Sequence, residues 1–285
     1  MTMIFITGGI GNVVYQVNQM TAMHAENWSF SELLYSPFLM KTLGHTQTVP
    51  SLKLPYSRLN NYISLLYFSM LLLDRIIFKI FGFTLVTRFD STLIKSRPLI
   101  SPLIYYGYFQ ENFECVESYS FCGYKDVFNV PPAKYVKASD ISERYAVVQV
   151  RGGDYIKAAK HSSKSIATNM PLLDINWYAL AITELERSLV GLPIYFVTDD
   201  VTACTEVMNC LKVRFPHLNL VLRSSGVWED LELMSNAQGL IIFNSTFGAL
   251  ALTESEKRPL CITTKYMENK NILKFGVVNL KVLNL

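Results

Sequence analysis

Cysteine and charge are both scarce in this chain. It has five cysteines, an odd number, and no two of them have the C-x-x-C spacing. This argues against a framework of paired disulfides and against a zinc site built on that spacing. Only 17% of the residues are charged and the net charge is +3, too little for the basic surface with which proteins bind nucleic acid. The sequence therefore predicts a protein of the reducing cytoplasm that binds no nucleic acid.

Long apolar runs are also missing. The longest, residues 62–73, is shorter than the roughly 20 residues that a membrane span needs, and Asp74, Arg75 and Lys79 interrupt its continuation. Residues 1–7 are apolar but lack the basic flank and cleavage site of a signal peptide. The run predicts a helix, preferably part of a core, with contact to a membrane surface as the alternative.

The chain is rich in hydrophobic residues, which make up half of its 285 positions. A chain of this length suits two domains, each with its own core. We place them at residues 1–135 and 136–285. The first begins with a strand at 3–7 and a helix at 13–23, continues through an irregular stretch at 26–55, and includes a long helix at about 59–81.

The second half alternates apolar strands with amphipathic helices. Strands are predicted at 146–150, 194–198, 218–222, 240–243 and 259–263. Strands that alternate with helices at this pitch form a parallel, doubly wound sheet. The predicted fold class is therefore α/β, with two Rossmann-like halves facing a cleft.

The first strand of the second half leads into a glycine loop that carries Arg151 and Asp154. Ligands of open α/β sheets bind at the carboxyl ends of the strands. An arginine there can hold a diphosphate through two parallel charge-assisted hydrogen bonds, while Asp154 could orient it or act as a base. The alternative is a surface ion pair, but two glycines beside the arginine favour a binding loop.

Polar residues follow the later strands as well. We interpret Asp200 as a helix cap rather than a metal ligand, because Asp199 and Asp200 are adjacent and cannot easily face one ion. Asp230 is either a helix N-cap or an acceptor for the N–H groups of a nucleotide base. Ser245 and Thr246 are either simple caps or part of a phosphate site at a helix N-terminus. The four histidines are scattered, and no metal site is predicted.

A glycine turn at residues 8–12 opens the chain. It exposes the N–H groups of the following helix to an anion or a sugar hydroxyl. Val14 occupies the position of the third glycine, so this is not the dinucleotide-binding fingerprint. An ordinary strand-to-helix turn is the alternative.

Taken in order, these segments resemble the bacterial α-1,2-fucosyltransferase family. Residues 8–16 are similar to its G-G-L-G-N-Q-M-F-Q opening, and residues 107–111 to its G-Y-F-Q box. Its H-x-R-R-G-D-Y motif corresponds to residues 149–155, with Gln149 in place of the histidine and Gly152 in place of the second arginine. Boxes resembling F-S-D-D, D-L-x-L-M-S and N-S-T-F follow at 196–200, 230–235 and 244–247.

The resemblance implies a glycosyltransferase of the GT-B type. It implies an inverting, metal-independent transfer of fucose from GDP-fucose to O2 of a galactose-like residue in a surface polysaccharide such as O-antigen or capsule. The GDP-sugar is a co-substrate, and no cofactor is expected. The expected acceptor is an oligosaccharide, either free or linked to a lipid. With a lipid-linked acceptor, the protein would contact the inner face of the membrane. The alternatives are a transferase for another nucleotide-linked 6-deoxysugar and a non-catalytic sugar-nucleotide binder.

The same resemblance assigns roles to individual residues. Arg151 would bind the donor β-phosphate and, with Asp154, form the catalytic pair; Glu111 is the other candidate base. The expected donor-binding residues are Gln149, Asp230, Ser245, Thr246 and Phe247. The expected acceptor-side residues are Gly9, Gly11, Asn12 and Glu111.

Overall fold

The computed structural model describes residues 2–5, 10–25, 30–36, 52–53, 56–58, 60–81, 87–88, 104–105, 122–130, 143–153, 174–242, 245–264 and 279–283. The chain divides into two compact units, Met1–Asn129 and Val130–Leu285. The sequence placed the boundary after residue 135, in a segment outside the described residues.

The first unit is built on a parallel sheet. Its strands are β1 (Thr2–Phe5), β2 (Phe30–Tyr35), β3 (Tyr56–Arg58), β4 (Thr87–Arg88) and β5 (Ile104–Tyr105), in the order β3-β2-β1-β5-β4. Its described helices are α1 (Ile10–Ala25), α2 (Asn61–Phe81) and the short α3 (Tyr124–Val127). The chain runs from β1 outward through β2 to β3 and then returns to the other side of β1. The order in which the chain adds strands therefore reverses between β1 and β5, although all the strands are parallel.

Helix α1 is held against its unit by an apolar face and by one asparagine. Val13, Val14 and Val17 are buried, and their spacing places them on one side of the helix. The buried Asn18 side chain donates to the Cys122 carbonyl at 2.8 Å and accepts from the Cys122 N–H at 2.7 Å. These two bonds attach the segment before α3 to α1 and leave the amide of Asn18 satisfied.

Helix α2 departs from the preferred prediction of a core helix. Ser64 is buried and its hydroxyl accepts a hydrogen bond from Ser36 Oγ at 2.6 Å, but large apolar side chains along the helix are exposed. Tyr62 is 86% exposed and Ile80 is 65% exposed. The sequence run is therefore apolar without being buried in this chain. None of the helices in the described ranges combines the length and hydropathy needed to cross a membrane. Contact with a membrane surface stays a prediction.

The second unit is a six-stranded parallel sheet. Its strands are β6 (Ala146–Val150), β7 (Ile194–Thr198), β8 (Leu220–Leu222), β9 (Gly239–Ile242), β10 (Leu260–Thr264) and β11 (Asn279–Leu283), in the order β11-β10-β9-β6-β7-β8. Its described helices are α4 (Ile175–Ser188), α5 (Val201–Arg214), α6 (Val227–Ser235) and α7 (Thr246–Thr253). The chain passes from β6 to β7 and β8, then returns to β9 on the opposite side of β6.

The core of this unit lies against β6. All five of its residues are buried, because a central strand of a parallel sheet is covered on both faces. Ala146, Val148 and Val150 belong to one cluster that also contains Trp177 of α4. Burial of a side chain the size of Val148 or Val150 stabilises the fold by about 1.5–3 kcal/mol. Gly239 lets α4 approach β9, since a Cβ there would lie 2.4 Å from Leu185 Cδ1.

The predicted fold class, α/β, is confirmed: each of the two units contains a parallel sheet and helices. The irregular stretch predicted at 26–55 is wrong in part, because it contains β2. Strands β3 and β11 were also missed. The apolar run at 83–86, which its composition predicts to be a strand, lies outside the described residues; β4 follows at Thr87–Arg88. The cleft between the halves concerns their mutual arrangement and stays a prediction.

Candidate functional site

The candidate site lies at the carboxyl edge of the second sheet, between β6 and β9. This is the point at which the strand order reverses, and ligands of open α/β sheets bind there. Gln149 stands opposite Ile242 in the β6–β9 pairing. Its Nε2 donates to Ser245 Oγ at 3.0 Å. One buried polar contact therefore joins the end of β6 to the start of α7.

Ser245 is the N-cap of α7. Its backbone is extended, and its Oγ accepts a hydrogen bond from the Gly248 N–H at 3.4 Å. Thr246 and Phe247 form the first turn and are half-buried. The first N–H groups of a helix lack partners within the helix, and with the helix dipole they favour an anion. The prediction that Ser245 is a cap is confirmed, and its role toward phosphate stays a prediction.

Gly248 is needed for the amide of Gln149 to lie where it does. A Cβ at this position would be 2.5 Å from Gln149 Oε1 and 2.7 Å from Ile242 Cγ2. The Gln149 side chain, 3% exposed, is therefore locked between β9 and the first turns of α7. An alanine at 248 would displace it, because neither the backbone of α7 nor Ile242 can move freely in a packed core.

One end of this amide is paired and the other is not. Within the described part of the chain, Gln149 Oε1 has no hydrogen-bond partner although it is buried. The oxygen and nitrogen of a glutamine amide are assigned from their partners, so either orientation leaves one buried end unpaired. Such a group costs about 1–3 kcal/mol. Only a group that donates a hydrogen bond to this oxygen would recover that cost.

Arg151 follows β6 directly and is oriented by the next strand. Its Nη1 lies 3.0 Å from Asp199 Oδ2, and each side chain is about one-fifth exposed (20% and 21%). Asp199 Oδ1 accepts a hydrogen bond from the Gly152 N–H at 2.8 Å. One carboxylate thus holds both the guanidinium and the backbone of the arginine loop. Sequence reasoning missed Asp199 in this role, although the Val150–Thr198 pairing places the two residues side by side.

Asp200 has the structural role that its sequence predicts. It is the N-cap of α5, and its Oδ1 accepts a hydrogen bond from the Ala203 N–H at 3.1 Å. Gly152 packs against it, since a Cβ at 152 would lie 2.5 Å from Asp200 Cβ. The glycine at this position is therefore required by the neighbouring cap.

Asp230 holds the loop that precedes α6. It is not the N-cap, which is Gly226, so that alternative for Asp230 is wrong. Its Oδ1 accepts from the Ser225 N–H at 3.0 Å, and its Oδ2 lies 2.7 Å from Ser224 Oγ. Burial raises the pKa of Asp230 above its usual range.

The hydroxyl of Ser224 lies between Asp230 and the end of β7. Ser224 Oγ lies 2.8 Å from the Thr198 carbonyl as well as 2.7 Å from Asp230 Oδ2. Because a hydroxyl has one hydrogen, it serves only one of these two acceptors at a time. The Thr198 carbonyl and Asp230 Oδ2 therefore share this hydrogen, while the Ser225 N–H bonds the other Asp230 oxygen. Its predicted role toward a nucleotide base stays a prediction.

The other predicted site residues are divided between the units. Gly11 is buried and Asn12 is half-buried in the first turn of α1. Gly9, Glu111 and Asp154 lie outside the described residues. The structure therefore brings together Gln149, Arg151, Ser245, Thr246 and Phe247 at one sheet edge. In the ranges that the structure covers, no three histidine, cysteine or acidic residues are grouped as metal ligands.

Comparison with known proteins gives structural neighbours only. No family model matches the chain, and no curated protein matches it. The heptosyltransferase WaaC of E. coli with ADP is 13% identical, with a TM-score of 0.42 over 99% of this chain and 92% of that one. A family 9 glycosyl transferase from Veillonella parvula is 11% identical, with a TM-score of 0.44 over 100% and 85%. WaaC with ADP-2-deoxy-2-fluoro heptose has a TM-score of 0.38 at 13% identity, over 92% and 88%.

The predicted membership in the α-1,2-fucosyltransferase family is wrong. The neighbours are described as glycosyltransferases, which is the predicted class, but as heptosyltransferase and family 9, a different family. The boxes that carried the resemblance coincide with a strand end and two helix caps, at Gly152, Asp200 and Ser245, which parallel α/β units share. Position 152 also has no room for the family's second arginine. A likeness at these TM-scores assigns no activity to this chain.

Proposed function

We propose that this protein is a glycosyltransferase that uses a nucleotide-linked sugar and binds its diphosphate between β6 and β9. The observation that carries the proposal is the Gln149–Ser245 hydrogen bond at the switch point of the second sheet, with Arg151 at the end of the same strand. The Gln149 amide nitrogen holds Ser245 Oγ at the N-terminus of α7, where an anion is stabilised.

In the proposed reaction, the residues at this edge of the sheet stabilise the leaving group. As the sugar leaves, the nucleoside diphosphate gains negative charge. The fixed guanidinium of Arg151, the Ser245 hydroxyl and the N–H groups of α7 are oriented before the reaction, so they stabilise that charge without reorganisation. We propose that no divalent metal takes part, because Asp199 is engaged by Arg151 and Gly152 and Asp200 caps α5.

The first unit supports a reaction between two substrates. Its sheet has a switch point of its own, between β1 and β5, and α1 with Gly11 and Asn12 follows β1 in the chain. We assign the saccharide acceptor to this unit and the donor to the second. Asp154 and Glu111 remain the candidate bases for the acceptor hydroxyl.

Thermal unfolding with ADP, GDP, UDP and dTDP, each beside its nucleoside, tests the proposal. One diphosphate should stabilise the protein by about 2.7 kcal/mol at a concentration 100 times its dissociation constant, and the nucleoside should stabilise it much less. The corresponding nucleotide sugars are then assayed for hydrolysis and for transfer to saccharide acceptors. Binding without turnover would favour the non-catalytic binder. Stabilisation by none of the four diphosphates would contradict the proposal.

A further inference from the structure

We infer that Gln149 is a positioning residue that turns the hydrogen of the Ser245 hydroxyl toward the bound diphosphate. The inference rests on the proposed function and adds a division of roles within the site. Ser245 contacts the ligand, whereas Gln149 fixes the direction in which Ser245 donates.

The direction follows from the hydrogen inventory of Ser245. A serine hydroxyl has one hydrogen and two lone pairs. Ser245 Oγ accepts from Gln149 Nε2 at 3.0 Å and from the Gly248 N–H at 3.4 Å. Both lone pairs are thereby occupied by donors inside the fold. The remaining hydrogen points away from both of them and is available to an acceptor, such as a phosphate oxygen.

The opposite orientation of the amide is less favourable. It would place Gln149 Oε1 against Ser245 and draw the hydroxyl hydrogen inward. The nitrogen, with two hydrogens, would then become the buried end beside Gly248. Orphaned N–H groups are rarer in folded proteins than under-satisfied carbonyl oxygens. The amide is buried beside Gly248 and Ile242, and this packing keeps it from rotating out of the site.

The inference predicts that Gln149 matters to the ligand only through Ser245. Gln149→Met fills a similar volume but donates no hydrogen bond, so the Ser245 hydroxyl becomes free to rotate. Met also removes the unpaired buried oxygen, so the fold should be retained; Gln149→Leu is the second variant if it is not. Ser245→Ala removes the hydroxyl itself. Ser235→Ala is the matched control. Ser235 is also a buried serine of the second unit, but its hydroxyl donates to the Glu232 carbonyl within α6 and not to the proposed site.

A double-mutant cycle measured by calorimetry tests the coupling, with the best-bound of ADP, GDP, UDP and dTDP as the probe. Ser245→Ala should weaken binding of the diphosphate by about tenfold, and Gln149→Met should weaken it several-fold. In the Ser245→Ala background, Gln149→Met should change it by less than about twofold. Binding of the parent nucleoside should be unaffected throughout, which a merely structural defect would not spare.

Two results overturn the inference in distinguishable ways. Additive losses from the two substitutions would mean that Gln149 acts without Ser245, and this inference alone would be wrong. Wild-type protein that binds none of the four diphosphates would overturn the proposed function and this inference with it.

Discussion

Arg151 and Asp199 form an ion pair across the carboxyl ends of two adjacent strands, with Nη1 and Oδ2 3.0 Å apart. Asp199 also accepts from the Gly152 N–H, so the loop and the side chain that it carries are fixed by one carboxylate. The arginine is therefore oriented before any ligand arrives. A preoriented charge stabilises a transition state more effectively than one that must be ordered during the reaction.

Replacement of Arg151 should reduce turnover far more than stability. We expect Arg151→Ala to lower kcat/KM by about 100-fold, or about 2.7 kcal/mol, because the charge and the paired N–H groups are both lost. Arg151→Lys should fall between, since it keeps the charge without the planar fork. Steady-state kinetics with circular dichroism checks this. Arg187→Ala, at an exposed site on α4, is the control. More than about a tenth of wild-type activity in Arg151→Ala would contradict the site assignment.

A side chain at position 152 should disturb the cap of α5. Gly152→Ala places a Cβ 2.5 Å from Asp200 Cβ, so Asp200 must move and about 1 kcal/mol of capping is lost. The effect should be much smaller in an Asp200→Gly background, where the colliding atoms are absent. Urea unfolding of the two single variants and the double variant measures this coupling. Equal costs of Gly152→Ala in both backgrounds would show that Asp200 is not the obstacle.

The stability of the second unit should depend on the protonation of Asp230. Its folded pKa is raised above 3.8 by burial, so the folded protein keeps a proton that the unfolded chain has lost. This contribution is fully present below the unfolded pKa and is lost as the pH rises through the folded pKa. Asp230→Asn carries no such proton and should not show this loss.

The free energy of unfolding measured from about pH 4 to pH 7 compares this variant with the wild type. The difference between them should shift in favour of Asp230→Asn as the pH rises. Asp174→Asn, at an exposed cap of α4, provides the control for loss of a carboxylate. A difference that stays constant with pH would show that the raised pKa does not contribute.

Turnover should persist when divalent metals are removed. Asp199 is bonded to Arg151 and Gly152, and Asp200 caps a helix, so the paired carboxylates already have roles. Excess EDTA should leave most of the transferase activity, with a known metal-dependent glycosyltransferase as the control. If activity disappeared and returned only with manganese or magnesium, Asp199 would have to be reconsidered as a ligand.

The regular part of the fold could be predicted because its signals are local. Strand β6 has the bounds predicted for it, and α5 begins directly after its predicted cap, Asp200. A mostly apolar run marks the strand, and an aspartate marks the start of the helix. Strand β2 was missed because its sequence, Phe30–Tyr35, includes Ser31 and Glu32 and lacks the β-branched residues typical of buried strands. Such a strand is selected by its neighbours in the sheet rather than by its own composition.

The site was only partly predictable for a related reason. Arg151 and Ser245 could be identified as site candidates from the sequence. Each follows a predicted strand, Arg151 beside two glycines and Ser245 beside a second hydroxyl residue. The contact between Gln149 and Ser245, and that between Arg151 and Asp199, depend on which strands become neighbours. Strand order is a property of the whole sheet. The sequence therefore indicated which residues belong to the site but not which of them contact each other. The same limit explains the mistaken family, because short boxes at strand ends also arise from the fold alone.

The central position of β6 leaves one of its edges unpaired during synthesis of the chain. This strand leaves the ribosome before every other strand of its sheet, but its neighbour on one side, β9, follows only after β7 and β8 have been made. Until then one edge of β6, apolar at every position but Gln149, is open, and open apolar edges pair with other chains. A nascent or truncated chain that ends before Gly239 is therefore prone to aggregation rather than to folding as a smaller domain.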